Sequence, residues 1–96
     1  MDKLAKLKKE DFDKCKDKPF KVRTEELDED FSLRVDKVEA MRGESFSVVF
    51  AGPQEPVLQQ SIIPLSHADL GELDIFLVPV GQEDGTTYYE AVFTRN

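Results

Sequence analysis

The chain of 96 residues has one cysteine and one histidine, and this scarcity excludes two kinds of site. A single cysteine, Cys15, cannot form an internal disulfide, which is typical of a protein from a reducing compartment. One cysteine and one histidine, His67, cannot supply the four ligands of a structural zinc site. The sequence therefore predicts no metal centre, and nothing in it indicates a cofactor.

Long apolar runs and glycine-rich loops are also missing. The N-terminal stretch 1–12 is charged throughout and lacks the apolar core of a signal peptide. The longest apolar run, 75–80, is far too short for a membrane helix. The five glycines stand singly at turns, without the spacing of a phosphate-binding loop. We expect a cytoplasmic protein that does not interact with a membrane.

Positive charge is scarce beyond the first segment of the chain. The net charge is −7, and residues 1–18 hold seven lysines against five acids, a local balance of +2. Residues 19–96 hold six basic and fifteen acidic residues, a balance of −9. A surface of this charge is repelled by phosphate backbones, so the sequence argues against nucleic-acid binding.

A chain of this length predicts a single domain, 1–96. A narrow apolar stripe predicts a short amphipathic helix near residues 3–17, which ends before Pro19 because proline disfavours helix in the residue before it. The stripe consists of Leu4, Leu7, Phe12 and Cys15. Because this stripe is too thin for a membrane-surface helix, we expect the charged segment 1–18 to pack on, or extend from, a β core formed by 19–96.

Six later segments predict β-strands, most of them by an alternation of polar and apolar residues. They lie near residues 20–23, 31–36, 46–51, 61–65, 72–80 and 86–94. The exceptions are the short apolar run at 61–65 and the part of 72–80 that follows Ile75, where the alternation stops. Val38 breaks the alternation of the second segment, which predicts a bulge near 36–37. Pro64 cannot donate a backbone hydrogen bond, which predicts an edge strand or a bulge there. Asp84 and Gly85 predict a hairpin turn.

These segments predict a mainly β fold, a small antiparallel barrel or sandwich of about six strands with one short N-terminal α-helix. The inward positions predict the core, which should contain Phe31, Leu33, Val35, Phe46, Val48, Phe50, Ile63, Leu73, Ile75, Leu77, Tyr89, Ala91 and Phe93.

The segment 70–80, LGELDIFLVPV, is the part of the sequence that predicts burial on both faces. Its Leu73–Ile75–Leu77 face should lie on the main core. Its Phe76–Val78–Val80 face should be covered by something else, for which the N-terminal helix is the first candidate and a partner chain the second.

Candidate catalytic groups are few. His67 lies close in sequence to Ser61, Ser66 and Asp69, but a catalytic triad is defined by geometry, so we expect a solvent-exposed loop histidine. The acidic loop 24–30 lacks the ligand spacing and the glycine of a calcium loop. No catalytic residue is assigned, and the sequence favours a protein that is not an enzyme.

The sequence resembles one known family. The similarity lies at GELDIFLVPVG (71–81) and YYEAVF (88–93), and it extends through the phenylalanine-rich strand, Gly-Pro turn and histidine of 46–73. This is an uncharacterised bacterial family of short β-domain proteins of unknown function. The resemblance implies a compact antiparallel β-domain, no established activity, and an accessory role beside tail-collar-like proteins of phage-derived assemblies.

Three functional hypotheses follow from the sequence. The first is a non-enzymatic interaction or assembly module that binds another protein, with homo-oligomers through a sheet edge as a further form of association. The second is a small-ligand-binding β-barrel, and the third is a hydrolase-type enzyme that uses His67. The candidate binding residues are Phe76, Val78, Val80 and His67.

Overall fold

A computed structural model of the chain describes residues 9–14, 18–23 and 31–94. The elements are α1 (Lys9–Asp13), β1 (Phe20–Val22), β2 (Ser32–Ala40), β3 (Phe46–Pro53), β4 (Ser61–His67), β5 (Gly71–Glu83) and β6 (Thr86–Phe93). All paired strands are antiparallel, and they close into a barrel in the order β1-β2-β3-β6-β5-β4, with β4 paired to β1. The mainly β fold with one short helix is confirmed.

The core fills the inside of the barrel with the inward residues of each strand. Every core residue that the strand alternation predicts is buried. The structure adds four buried apolar residues that were not on that list, Phe12, Phe20, Val22 and Leu65. Alternation along the strands therefore predicted the packed face correctly, and the additions come mainly from the first part of the chain and from its short strand β1.

The short helix α1 is held by its contacts with the barrel, because an isolated helix of five residues is unstable in water. Phe12 is completely buried. Its ring contacts four other phenylalanine rings at centroid distances of 5.2–6.5 Å, those of Phe20, Phe46, Phe50 and Phe93. The helix therefore contributes an aromatic ring to the core, and it packs mainly on β2 and β3.

Two local features of the sheet agree with the sequence. The register of β2 against β3 shifts between Val35 and Lys37, as the predicted bulge requires. Asp84 and Gly85 both have positive φ, 50° and 77°, in the tight turn that joins β5 to β6. Such a turn matches the right-handed twist of the two strands, which is why Asp-Gly favours it.

The position of β4 corrects the prediction made from Pro64. β4 is not an edge strand, since it lies between β1 and β5, and Pro64 sits opposite Asp74 within a regular β4–β5 register. The carbonyl of Pro64 accepts the N–H of Arg23 at 2.8 Å, just beyond the end of β1. The three-residue β1 closes the barrel by pairing with two residues of β2 and two residues of β4. Association of copies through a sheet edge stays a prediction.

Some predictions fall outside the described residues. They concern Cys15, the acidic loop 24–30, and the parts of the predicted helix 3–17 that lie before Lys9 and after Lys14. Within the described part, the helix ends at Asp13, and the N–H of Lys14 closes its last turn on the carbonyl of Glu10 at 3.1 Å.

Candidate docking surface

The outward side of β5 is exposed, which corrects the prediction that this strand is buried on both faces. Leu73, Ile75 and Leu77 point inward and are buried, as predicted. On the opposite side, Phe76 is 49% exposed and Val80 is 54% exposed, while Val78 is half-buried. The helix α1 does not cover this face, because its buried ring lies among the phenylalanines of the core.

Neighbouring strands extend the exposed apolar surface on both sides of β5. Ile62 of β4 lies directly opposite Phe76 and is 66% exposed. Val78 lies opposite Glu90 of β6, where the pairing of β5 with β6 ends. Val92, two residues beyond Glu90 on β6, is 52% exposed and points to the same side of that strand as Glu90. We call Ile62, Phe76, Val78, Val80 and Val92 the outer apolar band. It crosses three adjacent strands of the barrel.

A bulge in β5 shapes one end of the outer apolar band. Pro79 pairs with Tyr89 and Gly81 pairs with Tyr88, so Val80 is the extra residue between them. Bulges of this kind redirect a side chain locally, and they also accommodate a proline that cannot donate to the ladder. Val80 lies on the outside next to the band residue Val78, as the alternation along β5 predicts, and the bulge changes the register beyond it.

Acidic side chains lie on both sides of the outer apolar band. At one side, Arg23 forms ion pairs with Glu72 at 3.9 Å and with Asp74 at 3.4 Å, and both acids are largely exposed. Asp74 points to the same side of β5 as Phe76, two residues away. At the other side, Glu90 stands directly opposite Val78. A partner covering the band therefore meets carboxylates at each border.

An open depression of about 420 Å³ continues from Val80 across the outer surface of β5, β6, β3 and β2. Its apolar part includes Val49, Val80 and Tyr88. Its charged lining consists of Asp36, Lys37, Glu39, Glu83 and Glu90. Four carboxylates against one ammonium give this part of the surface a negative potential.

Lys37, the one lysine in the lining of this depression, is held in an ion pair. Its Nζ donates to Glu39 at 2.6 Å. The hydrogen bond and the charge of Glu39 raise the pKa of Lys37, and the nearby carboxylates of Asp36 and Glu90 raise it further. The raised pKa of Lys37 therefore comes first from its ion pair with Glu39.

His67 is buried, so the prediction of a solvent-exposed loop histidine is wrong. It is the last residue of β4, is 5% exposed, and packs its ring against Phe20 at a centroid distance of 4.5 Å. The Nδ1 atom accepts the backbone N–H groups of Asp69 and Leu70 at 3.0 and 3.3 Å. In a neutral imidazole the proton is then on Nε2. That buried atom has no hydrogen-bond partner among the described residues.

The polar residues near His67 in sequence do not form a hydrogen-bonded triad with it. Ser61 donates through Oγ to the carbonyl of Gln59 at 2.9 Å. The carboxylate of Asp69 accepts from Lys18 Nζ at 3.2 Å. In the described ranges, His67 hydrogen-bonds only backbone amides, and the arrangement holds the turn after β4 in place.

A second depression, of about 390 Å³, lies where β1 meets the end of β4. Its lining includes Lys18, Lys21, Ser66 and His67. The ammonium groups of Lys18 and Lys21 give this depression a cationic lining. It is separate from the outer apolar band, so the structure does not bring His67 together with Phe76, Val78 and Val80.

The inside of the barrel is occupied by side chains. Tyr89, Phe20, Phe50 and Leu33 are all fully buried there. The Tyr89 hydroxyl accepts the N–H of Leu58 at 2.9 Å, which secures the loop between β3 and β4. Burial raises the pKa of Tyr89, and the Leu58 amide opposes that effect by binding the oxygen.

Sequence reasoning missed the contributions of Ile62 and Val92 to the surface. A signal for both was present, since each alternates with a core residue and must therefore point outward. What the sequence did not give is the strand order, which brings β4, β5 and β6 together and turns single exposed residues into one band.

Among residues 9–14, 18–23 and 31–94, no group of three or more histidine, cysteine or acidic side chains could hold a metal ion. In the same part of the chain, no helix has the length and apolar character needed to cross a membrane.

Fold and surface together define a small closed β-barrel with a packed interior and an apolar band on its outside. The chain belongs to the family described as domain of unknown function DUF6916, which matches residues 7–93. No curated protein and no solved structure matches the chain. Membership confirms the expected relation to an uncharacterised domain family.

Proposed function

We propose that this protein is a non-enzymatic docking module that binds another protein through its outer apolar band. The observation that carries the proposal is the pairing of Ile62 with Phe76, which exposes two large apolar side chains side by side on adjacent strands. Val92 and Val80 extend them on β6 and at the bulge. Contiguous exposed apolar surface on a soluble domain marks interaction sites far more often than scattered single residues do.

The architecture suits a docking role. The band residues Ile62, Phe76 and Val92 stand on regular strands of a closed barrel, so their positions are fixed before binding. A rigid surface of this kind loses little conformational entropy when it is covered. An aromatic side chain at the centre of an apolar patch is also the usual form of a residue that dominates binding energy, which gives Phe76 that role.

The resemblance to proteins that accompany tail-collar-like proteins extends the proposal to a biological setting. In that setting the protein acts in the cytoplasm as an accessory of a phage-tail-like assembly, and it holds a component of the assembly through the band. Docking by this surface requires no catalytic group.

Photocrosslinking from the band tests this proposal. A photoreactive phenylalanine analogue at position 76 should crosslink in cells to one other protein, because this side chain lies at the centre of the interface. The same analogue at Val57, which is 46% exposed in the loop before β4, is the matched control and should give no specific adduct. Equal adduct patterns from both positions, or no adduct from position 76, would contradict the proposal.

A small-ligand-binding barrel is the second candidate, and His67 is the observation that favours it. Its buried Nε2 lacks a partner among the described residues, and it lies beside a depression lined by Lys18 and Lys21. The ligand suited to this lining is a small anion that accepts hydrogen bonds. A thermal-shift screen of small carboxylates and phosphates tests this function. A rise in melting temperature that Lys21→Ala abolishes would support it, and an unchanged melting temperature with every anion would argue against it.

A further inference from the structure

We infer that the partner on the outer apolar band is a polypeptide segment in which apolar side chains alternate with lysine or arginine. The inference rests on the proposed docking function and adds the chemistry of the occupant. It depends on the charges that border the band and on the shape of the depression beside it.

Charge complementarity points to a basic occupant. Glu72 and Asp74 with Arg23 leave one net negative charge at one border. At the other border, the four carboxylates and one ammonium of the depression at Val80 leave a formal balance of −3. Positive side chains spaced on either side of an apolar centre would meet both borders, while negative ones would be repelled.

The depression gives a basic side chain a place to lie. It is continuous with the band through Val80, and its apolar residues Val49 and Tyr88 suit the hydrocarbon stem of a lysine or an arginine. Its carboxylates, which include Glu83 and Glu90, suit the charged end. One segment can therefore place an apolar residue against Phe76 and a basic residue in the depression.

A second copy of this chain is a poor occupant. In a two-fold symmetric dimer the same patch forms both halves of the interface, so each acidic border would approach an acidic patch of the other copy. Residues 19–96 carry a balance of −9, which adds to the repulsion. The occupant is therefore a different protein, and the borders of the band select it by charge.

The test is an unbiased selection from a displayed library of random peptides of about 12 residues, long enough to cross three strands. The library is panned on the wild-type protein, and the enrichment of each selected peptide is then measured on Phe76→Asp and on Val57→Asp. Phe76→Asp alters the centre of the band, and Val57→Asp places the same charge on an equally exposed apolar residue elsewhere. Circular dichroism and thermal unfolding show that each variant is folded.

We expect the peptides that depend on Phe76 to be enriched in apolar residues together with lysine or arginine. A synthetic copy of one selected peptide should bind about tenfold more tightly than the same peptide with its basic residues changed to glutamate. Glu90→Gln should weaken binding about threefold, whereas Glu10→Gln, on the helix, should leave it unchanged.

The other outcomes separate the two proposals. Phe76-dependent peptides that are acidic or uncharged would overturn the basic partner while leaving the docking function in place. Selected peptides that bind Phe76→Asp as well as wild type would overturn the docking function itself. Sedimentation equilibrium that shows a wild-type dimer, and a monomer for Phe76→Asp, would assign the band to a second copy and overturn the inference.

Discussion

Ile62 and Phe76 face each other across β4 and β5 with both side chains on the outside of the barrel. Each alternates with core residues, since Ile63 and Ile75 are paired in the same register and are buried. One pair of strands thus supplies both the packed interior and the exposed band. Substitutions on the two sides of these strands therefore separate the effect on stability, expected for the inward side, from the effect on binding, expected for the outward side.

The first prediction compares phenylalanines on the two sides of the barrel wall. Phe76→Ala should lower the free energy of unfolding by about 1 kcal/mol or less, because the side chain is already half exposed. Phe12→Ala should lower it by about 3–5 kcal/mol, because this ring is completely buried among four others. Urea denaturation measures both. Similar losses for the two variants would show that the outward face is core.

A second prediction concerns the close approach of Gly52 to Leu33. A Cβ atom at position 52 would lie 2.5 Å from Leu33 Cδ2, a distance that forces one of them to move. Gly52→Ala should therefore destabilise the fold by about 1–3 kcal/mol. Because Gly81 has nothing within 4 Å of such an atom, Gly81→Ala is the matched control and should change stability by no more than about 0.5 kcal/mol.

A double-mutant cycle tests the stated cause of the Gly52 effect. In a Leu33→Ala background, the methyl group of Gly52→Ala no longer meets Cδ2, so its cost should become smaller than in the wild-type background. If the cost of Gly52→Ala is the same in both backgrounds, the contact with Leu33 is not its origin.

A third prediction follows from the raised pKa of Tyr89. As the pH rises above about 10, the unfolded chain loses the tyrosine proton first, while the folded chain still holds it. The unfolded state then binds fewer protons, so the free energy of unfolding falls with rising pH. Tyr89→Phe should lose part of this decline, and at neutral pH it should cost about 0.5–1.5 kcal/mol for the hydrogen bond to Leu58.

Urea unfolding between about pH 8 and pH 11 measures that decline. Lys37 contributes to it in the same direction, since its pKa is raised as well, so the informative quantity is the difference between wild type and variant. Identical pH dependence in wild type and Tyr89→Phe would contradict the assignment to Tyr89.

The alternation of apolar residues was sufficient to predict the strands and most of the core. Positions such as Val35, Phe50 and Ile75 follow a period of two, and this period depends only on backbone geometry. The bulge after Val35 and the turn at Asp84 were predictable for the same local reason. Phe12 was identified on the apolar stripe, but its place inside the barrel depends on how distant strands close around it.

The wrong predictions for Pro64 and for the outward face of β5 concern features that depend on which strands lie side by side. Pro64 predicted an edge strand or a bulge, but the register of β4 with β5 is regular and the three-residue β1 pairs with the other side of β4. β1 ends where the Pro64 carbonyl accepts the N–H of Arg23. The apolar outward residues of β5 predicted a cover, but composition cannot show whether a cover exists. For His67 a local signal was available, because it continues the inward positions of Ile63 and Leu65.

The central claim is that the outer apolar band binds another protein, and a quantitative pull-down from the native cell tests it most directly. Wild type, Phe76→Asp and Val57→Asp are used as baits in parallel, and the captured proteins are quantified by mass spectrometry. We predict one partner in near-stoichiometric amount with wild type and Val57→Asp, and about tenfold less of it with Phe76→Asp, because Phe76 lies at the centre of the band. Equal recovery with all three baits, or no partner with wild type, would contradict the claim.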